Sequence, residues 1–359
     1  MTILDRYILR EFMKNFFMII ISLIALYLIV DFFERVRMFL SNHATVYQML
    51  SYFCFTVPSI LSQMLPVALL LGTLITFAIL SKNSEVTAMK ANGVSLYRLT
   101  IPFILFSCII CIASFLLNEF LTPYANQRAK HIKLVEVQKR KQLGSFKQNE
   151  IWYKGRDGIY NFSLFDAERG VLKGIRINYL DRSMNLTKRI DAREARWRDG
   201  TWQFRDLLIT TFPAGDFPVV ERVQSRAIDL AEKPSDFMIA QKDTSEMGFF
   251  ELRNYIRKIQ SEGYDATQYL ADMHGKFAFS LVNIILAILG ISFSIRSERS
   301  GGVARSIGLG IVIGFSYWLL FAFSISLGRS GTLPPLLAAW TANMILGVLA
   351  VVMFLRVKT

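Results

Sequence analysis

Six stretches of this chain are almost unbroken in apolar residues, at about 15 to 33, 54 to 80, 99 to 121, 277 to 295, 303 to 327 and 335 to 355. Each approaches or exceeds the roughly 20 residues that a helix needs to cross a bilayer core. The third stops near Glu119. The first runs on through Ile19 to Phe33 with no small-residue cleavage site before the charged cluster, so it is expected to stay in the mature chain rather than leave as a signal peptide. Between the third and fourth runs the period changes. Asn126 to Gln142 is charged and is expected to prolong span three as helix, whereas Ile151-Trp152-Tyr153, Ile159-Tyr160-Asn161-Phe162 and Ile175-Arg176-Ile177-Asn178-Tyr179 are β-rich or alternating. Asp157-Gly158 and Asp199-Gly200 are hairpin-turn signals, and Trp197 and Trp202 flank the second as a cross-strand aromatic pair. Leu207 to Phe212 and Phe217 to Leu230 add strands, which suggests an antiparallel sandwich or open barrel. Phe249 to Gln260 turns helical again, with Phe250, Leu252, Tyr255, Ile256 and Ile259 on one side and Arg253, Arg257 and Lys258 opposite.

The expected fold is therefore an α-helical polytopic membrane protein with six transmembrane helices, three plus three, around an inserted antiparallel β domain of jellyroll-like kind. Residues 1–122 form the first membrane half, 123–275 the inserted domain with flanking helices, and 276–359 the second half. The two halves show neither a repeat nor the paired broken helices of inverted-repeat transporters.

One polar interruption stands out between spans two and three, from Ser81 to Gly93. It reads as a short helix at about 83–92, with Asn83 or Ser84 to cap the first turn, Glu85 at the positive end of the helix dipole and Gly93 as a left-handed stop. Val86 and Met89 share a face, with Ala88 and Ala91 nearby, and are expected to offer a partner a modest apolar knob.

Composition agrees with the pattern: 53% of the residues are hydrophobic and the mean hydropathy is +0.36. The net charge of +13 is largely topological. Arg6, Arg10 and Lys14 precede span one, Lys82, Lys90 and Arg98 follow span two, Arg296, Arg299 and Arg305 follow span four, and Arg356 and Lys358 follow span six. The opposite-side loops hold only Arg35, Arg37 and Arg329, so both termini are placed in the cytoplasm and the β domain outside it. The inserted domain mixes both signs without a long run of either, a poor footprint for nucleic acid. Cys54, Cys108 and Cys111 all lie in apolar spans, where packing accounts for them better than redox chemistry.

No enzyme signature is present. There is no G-x-x-x-x-G-K-[ST] run, and Gly275-Lys276 opens a span; His43, His131 and His274 lack metal-ligand spacing. Glu119, near a membrane edge, is the only intramembrane ionisable candidate, which disfavours ion coupling. Such a chain borrows its energy or needs none. In span five, Gly310 and Gly314 form a small-x-x-x-small face, read either as plain packing within the chain or as a contact that opens and closes. At the outer end of span one, Asp31-Phe32-Phe33-Glu34-Arg35-Val36-Arg37 sets guanidinium and carboxylate groups at headgroup level. They serve either as interfacial ion pairs or as sites where Arg35 and Arg37 meet the phosphates of an anionic lipid.

Leu4-Asp5-Arg6-Tyr7-Ile8, the motif Ser84-Glu85-x-x-x-Met89-x-Ala91-x-Gly93 and the three-plus-three layout around a β-rich insert resemble the LptF/LptG family, the permeases of lipopolysaccharide export, over the whole chain. The opening Leu-Asp-Arg-Tyr looks more like LptG than LptF. The resemblance implies a subunit in the inner membrane of a Gram-negative bacterium, with its β domain in the periplasm. It implies pairing with the other paralogue (LptF, for an LptG-like chain) on an LptB ATPase dimer, with LptC and the periplasmic bridge LptA as further partners. It implies no cofactor of its own, ATP and magnesium being bound by the ATPase. By resemblance, Ser84, Glu85, Val86, Met89, Ala91 and Gly93 would belong to the helix that couples to the ATPase, and Arg35 and Arg37 to the basic outer end of span one. Phe33, Gly310, Gly314 and Phe315 would line or support a lateral gate for lipopolysaccharide. The competing readings are a non-transporting scaffold or receptor with a protein-binding β domain, and a lipid-modifying enzyme for which Asp31, Glu34 and Glu119 are too few.

Overall fold

The structure is a computed structural model that describes residues 3–139, 144–147, 150–154, 158–166, 169–180, 185–198, 200–213, 217–230, 233–237, 243–261, 265–296 and 303–356. Asp157, Asp199, Arg299, Lys358 and residues 140–142, named above, lie outside them. Six described helices are long and apolar enough to cross a membrane. They are α1 (Ile3–Ser41), α2 (Val46–Lys82), α4 (Leu96–Leu116), α8 (Thr267–Arg296), α9 (Val303–Arg329) and α10 (Pro335–Leu355), with the short α3 (Glu85–Ala91) between α2 and α4. Thr45 opens α2 with a capping box to Gln48. Pro58 and Pro66 interrupt α2 and Pro102 interrupts α4, whereas α1 runs for 39 residues without proline or glycine.

The third span ends at its polar boundary in a π-helical turn, Leu117–Leu121, and continues as α5 (Thr122–His131) and a second π turn, Ile132–Val137. Glu119 lies in the first of these turns. Its carboxylate accepts the backbone N–H groups of Phe249, at 2.5 Å, and Phe250, at 3.3 Å, and so caps the start of α7 (Phe249–Ser261). Of the expected apolar face of α7, Leu252, Tyr255, Ile256 and Ile259 are buried, but Phe250 is exposed.

The chain forms two compact units, and their borders differ from those expected at 122/123 and 275/276. The helical unit takes Met1–Gln138, Thr244–Arg253 and Thr267–Thr359, and the sheet unit takes Lys139–Asp243 and Asn254–Ala266. The extension of span three and the polar start of α8 therefore pack with the helices.

Among the described residues the sheet unit is an antiparallel sheet of seven strands in sequence order, β1 (Gly144–Lys147), β2 (Glu150–Lys154), β3 (Gly158–Asp166), β4 (Val171–Leu180), β5 (Leu186–Arg198), β6 (Thr201–Thr211) and β7 (Val219–Ile228), followed by the short helix α6 (Pro234–Phe237). Trp197 and Trp202 are cross-strand partners, with ring centroids 5.2 Å apart. A line of skipped pairings crosses the sheet. Ser163, Gly174, Arg193, Asp206 and Gln224 lie in line on β3 to β7, where the ladder skips a pairing without a change of register; away from that line, β4 and β5 shift register at Tyr179–Leu180. Gly174 and Asp206 both have positive φ there, +60° and +52°. At that line the core positions of β3 to β6 change phase together while the register between strands stays the same. Phe162 is followed by Phe165, Leu172 by Ile175, Ala192 by Ala195 and Phe204 by Leu207, so one apolar face continues across that line.

Asp206 tolerates the left-handed conformation better than a branched residue can. Asp206→Val is expected to cost about 1–2 kcal/mol. Asp206→Gly should be neutral or stabilising, as read from thermal unfolding of the detergent-purified chain.

Candidate functional site

The short helix α3 is fixed by contacts on its own chain. Ser84 precedes it in a left-handed conformation, φ 59°, without a side-chain capping bond, so neither expected cap forms in the expected way. Asn83 instead donates from Nδ2 to Glu85 Oε1 at 3.2 Å, while the Tyr7 hydroxyl, on α1, donates to Glu85 Oε2 at 2.9 Å. Gly93 supplies the left-handed stop, φ +78°. Val86 corrects the sequence expectation. It is 2% exposed and belongs to the core cluster of α1, α2 and α4 that holds Ile8, Phe12, Leu80, Leu99 and Phe103, with Met89 packed against that cluster. The apolar side of α3 thus faces its own spans. Thr87, Ala88, Ala91 and Gly93 are exposed, and they form the surface that an outside partner would meet.

At the far end of α1 the two arginines part company. Arg35 donates to buried Asp31 at 2.6 Å and lies over the Tyr52 ring, 5.5 Å from its centroid, whereas Arg37 is exposed. Phe33 is exposed too. A second buried carboxylate, Asp272 at the start of α8, takes Arg329 at 2.7 Å and Thr244 at 2.8 Å. In the sequence Glu119 stands out as the ionisable candidate at depth, whereas Asp272 lies in the polar lead-in to span four and carries no such signal. Both buried aspartates hold an arginine, an arrangement that keeps a charge stable at the edge of an apolar phase.

The faces that the chain leaves bare are uneven. In the most apolar window of α2, 72% of the residues are buried, against 22% in α1 and 22% in α9. Phe17, Ile21, Leu26, Ile29, Val30 and Phe33 are exposed along α1, and Ile311, Phe315, Trp318, Leu319 and Phe323 along α9. Gly310 and Gly314 lie away from that bare surface. A Cβ at Gly310 would stand 2.5 Å from Leu71 Cδ2, and one at Gly314 would stand 3.4 Å from Val67, so both glycines pack α9 onto α2. Phe315, stacked at 6.3 Å on Trp318, belongs to the open side. Of the four expected gate residues, Phe33 and Phe315 are therefore surface groups, and the two glycines support the helix from behind.

The family model for the lipopolysaccharide export system permeases LptF/LptG matches residues 6–356. This chain belongs to the LptF/LptG family. LptG of Haemophilus influenzae is 23% identical over 321 residues, 88% of each chain. LptG of Escherichia coli K12 is 22% identical over 346 residues, 94% of this chain and 93% of its own. LptF of Escherichia coli K12 is also 22% identical, covering 98% of this chain and 94% of its own. The likeness leans to LptG, as the opening Leu4-Asp5-Arg6-Tyr7 suggested. This LptF/LptG permease is thus a multi-pass inner-membrane protein whose described residues hold six helices apolar enough to span and an inserted antiparallel sheet.

The packing of α9 on α2 yields a test. Gly310→Leu forces a bulky side chain against Leu71 and Leu74 and is expected to cost about 1–3 kcal/mol by overpacking. A comparable change at Gly308, where no neighbouring atom lies within 4 Å of the built position, should leave the thermal midpoint in detergent nearly unmoved.

Proposed function

We propose that this chain is a permease subunit of an ABC-type lipopolysaccharide exporter, paired with its paralogue on an LptB ATPase dimer. It draws lipopolysaccharide laterally from the outer leaflet of the inner membrane and passes it through the periplasmic β domain towards an LptA bridge, with LptC as a further component. The observation that carries this reading is the uneven burial of the spans: α1 and α9 are each only 22% buried in their apolar windows while the hub α2 is 72% buried. A bare span one and a bare span five suit a gate in which span one of each permease faces span five of the other, closing on Phe33 and Phe315.

The energy enters at α3. The sequence holds no G-x-x-x-x-G-K-[ST] run, so ATP and magnesium are assigned to the partner ATPase. The exposed residues Thr87, Ala88 and Ala91, with the Glu85 carboxylate at the start of the helix, are the contacts that a groove on that ATPase would take. In this topology both termini and α3 lie in the cytoplasm. Arg37 is the arginine placed to meet a lipid phosphate, since Arg35 is already held by Asp31.

Purification with native partners, followed by mass spectrometry, should find a stoichiometric ABC ATPase and a phosphorylated glycolipid; a kinase or an assembly factor in place of both would favour the scaffold reading. Glu85→Lys should insert normally yet lose ATPase association or transport, and normal values for both would refute the role given to α3. Arg37→Ala should weaken binding to anionic-lipid vesicles about tenfold or less while leaving stability within about 0.5 kcal/mol. Arg35→Ala should destabilise the chain instead, because it strands buried Asp31.

A further inference from the structure

Tyr7 belongs to the opening motif by which the chain resembles its family, and neither the sequence reading nor the proposed transport cycle gives it a task. Its hydroxyl reaches 78 positions along the sequence to donate to Glu85 Oε2 at 2.9 Å. That bond joins α3 to the first turns of α1. Beneath it, Val86 is sunk in the cluster that contains Ile8 and Phe12 of α1. The short helix is thus held to span one at two successive residues, by a directional hydrogen bond to a charged group and by a buried side chain.

What α1 does with such a connection depends on its stiffness. Helix kinks arise at proline, at glycine and at π bulges. The described α1 has none of these over 39 residues, about 58 Å at 1.5 Å per residue. Span two carries two prolines, and the third span with its extension carries two, Pro102 and Pro123, and two π turns. Between the membrane faces, span one is therefore the stiffest path leading away from α3. Its other end holds Phe33, the Asp31–Arg35 pair and exposed Arg37. Partway along, Asn15 donates to Thr76 Oγ1 at 3.0 Å, a buried bond between α1 and α2 about which the bare part of α1 could tilt.

We infer that Tyr7 is a positioning residue that transmits movement of α3 to span one through its hydrogen bond with Glu85, so that α1 carries a displacement made at the ATPase to the outer end of the helix. This rests on the exporter reading above. The Glu85 carboxylate can serve both neighbours: Oε2 takes Tyr7 and Oε1 takes Asn83, and each oxygen keeps a lone pair for a cation on the partner.

The test is Tyr7→Phe, which removes one oxygen and keeps the ring. The chain is reconstituted with its paired permease and ATPase in lipopolysaccharide-containing vesicles. Two quantities are read: lipopolysaccharide released per ATP hydrolysed, and the ATP-dependent change in distance between spin labels at Leu40 and Leu336, both exposed, with Cys54, Cys108 and Cys111 replaced by serine. Tyr7→Phe should still bind the ATPase, but release per ATP should fall about three- to tenfold and the label movement should shrink. Tyr7→His, which keeps a ring and an N–H donor, should recover part of both, and Tyr27→Phe, on the same helix, should match the wild type.

An unchanged ratio and unchanged movement in Tyr7→Phe overturn the inference while leaving the exporter reading intact. Loss of ATPase binding in Tyr7→Phe also overturns it, since Tyr7 would then serve docking. If the wild-type chain itself neither binds an ATPase nor releases lipopolysaccharide, the exporter reading falls first.

Discussion

The close approach of neighbouring helices to span two is the constraint on which the helical unit depends. Inside a bilayer, apolar side chains gain little by leaving lipid for one another, so helices associate through contacts that only small residues permit. Around α2 these contacts come from three sides. Gly72 admits Phe12 and Phe16 of α1, Gly290 of α8 sits against Leu70 and Thr73, and Gly310 of α9 sits against Leu71 and Leu74. Span two becomes the buried hub as a result. Helices α1 and α9 each hold it by one side, and their other sides are left to lipid or to a partner.

Polar groups then fix the alignment of helices that packing alone would allow to slide. Asn15 bonds Thr76 across α1 and α2, Ser62 bonds Asn118 across α2 and the third span, and Asn343 of α10 accepts from Tyr317 and donates to the Ala278 carbonyl. Each unpaired alternative would leave a donor or acceptor in hydrocarbon. At the ends of the spans, Asp31–Arg35 and Asp272–Arg329 bring charge to the apolar edge as pairs. Glu119 is used differently, as an acceptor for the first N–H groups of a helix. A carboxylate at a membrane edge can therefore be structural, and its meaning lies in its partner.

Much of this was legible in order along the chain. Long apolar runs name spans because length and hydropathy act locally, and the six expected runs all lie within observed helices. Trp197 and Trp202 pair because an intervening turn sets their register, and Gly93 stops a helix because only its backbone adopts φ +78° cheaply. The line of skipped pairings was present in the sequence as well, as a three-residue step between core positions on four consecutive strands. It passes unnoticed when each strand is inspected alone, because one slipped alternation resembles noise and only their alignment across the sheet reveals a line.

Val86 and Gly310 show where sequence stops. Periodicity established that Val86 and Met89 share a face and that Gly310 and Gly314 share another, but a helix surrounded by apolar material offers no local sign of which neighbour each face meets. By itself the sequence determined the six spans, the inserted antiparallel sheet, the short polar helix after span two and the family to which the chain belongs, since all of these depend on local pattern or on residues read in order. Tertiary structure alone decided that Val86 turns inward, that the span-five glycines face span two rather than the open side, and that Tyr7 reaches Glu85. Those are pairings between distant segments, settled by which side chains fit when the helices meet.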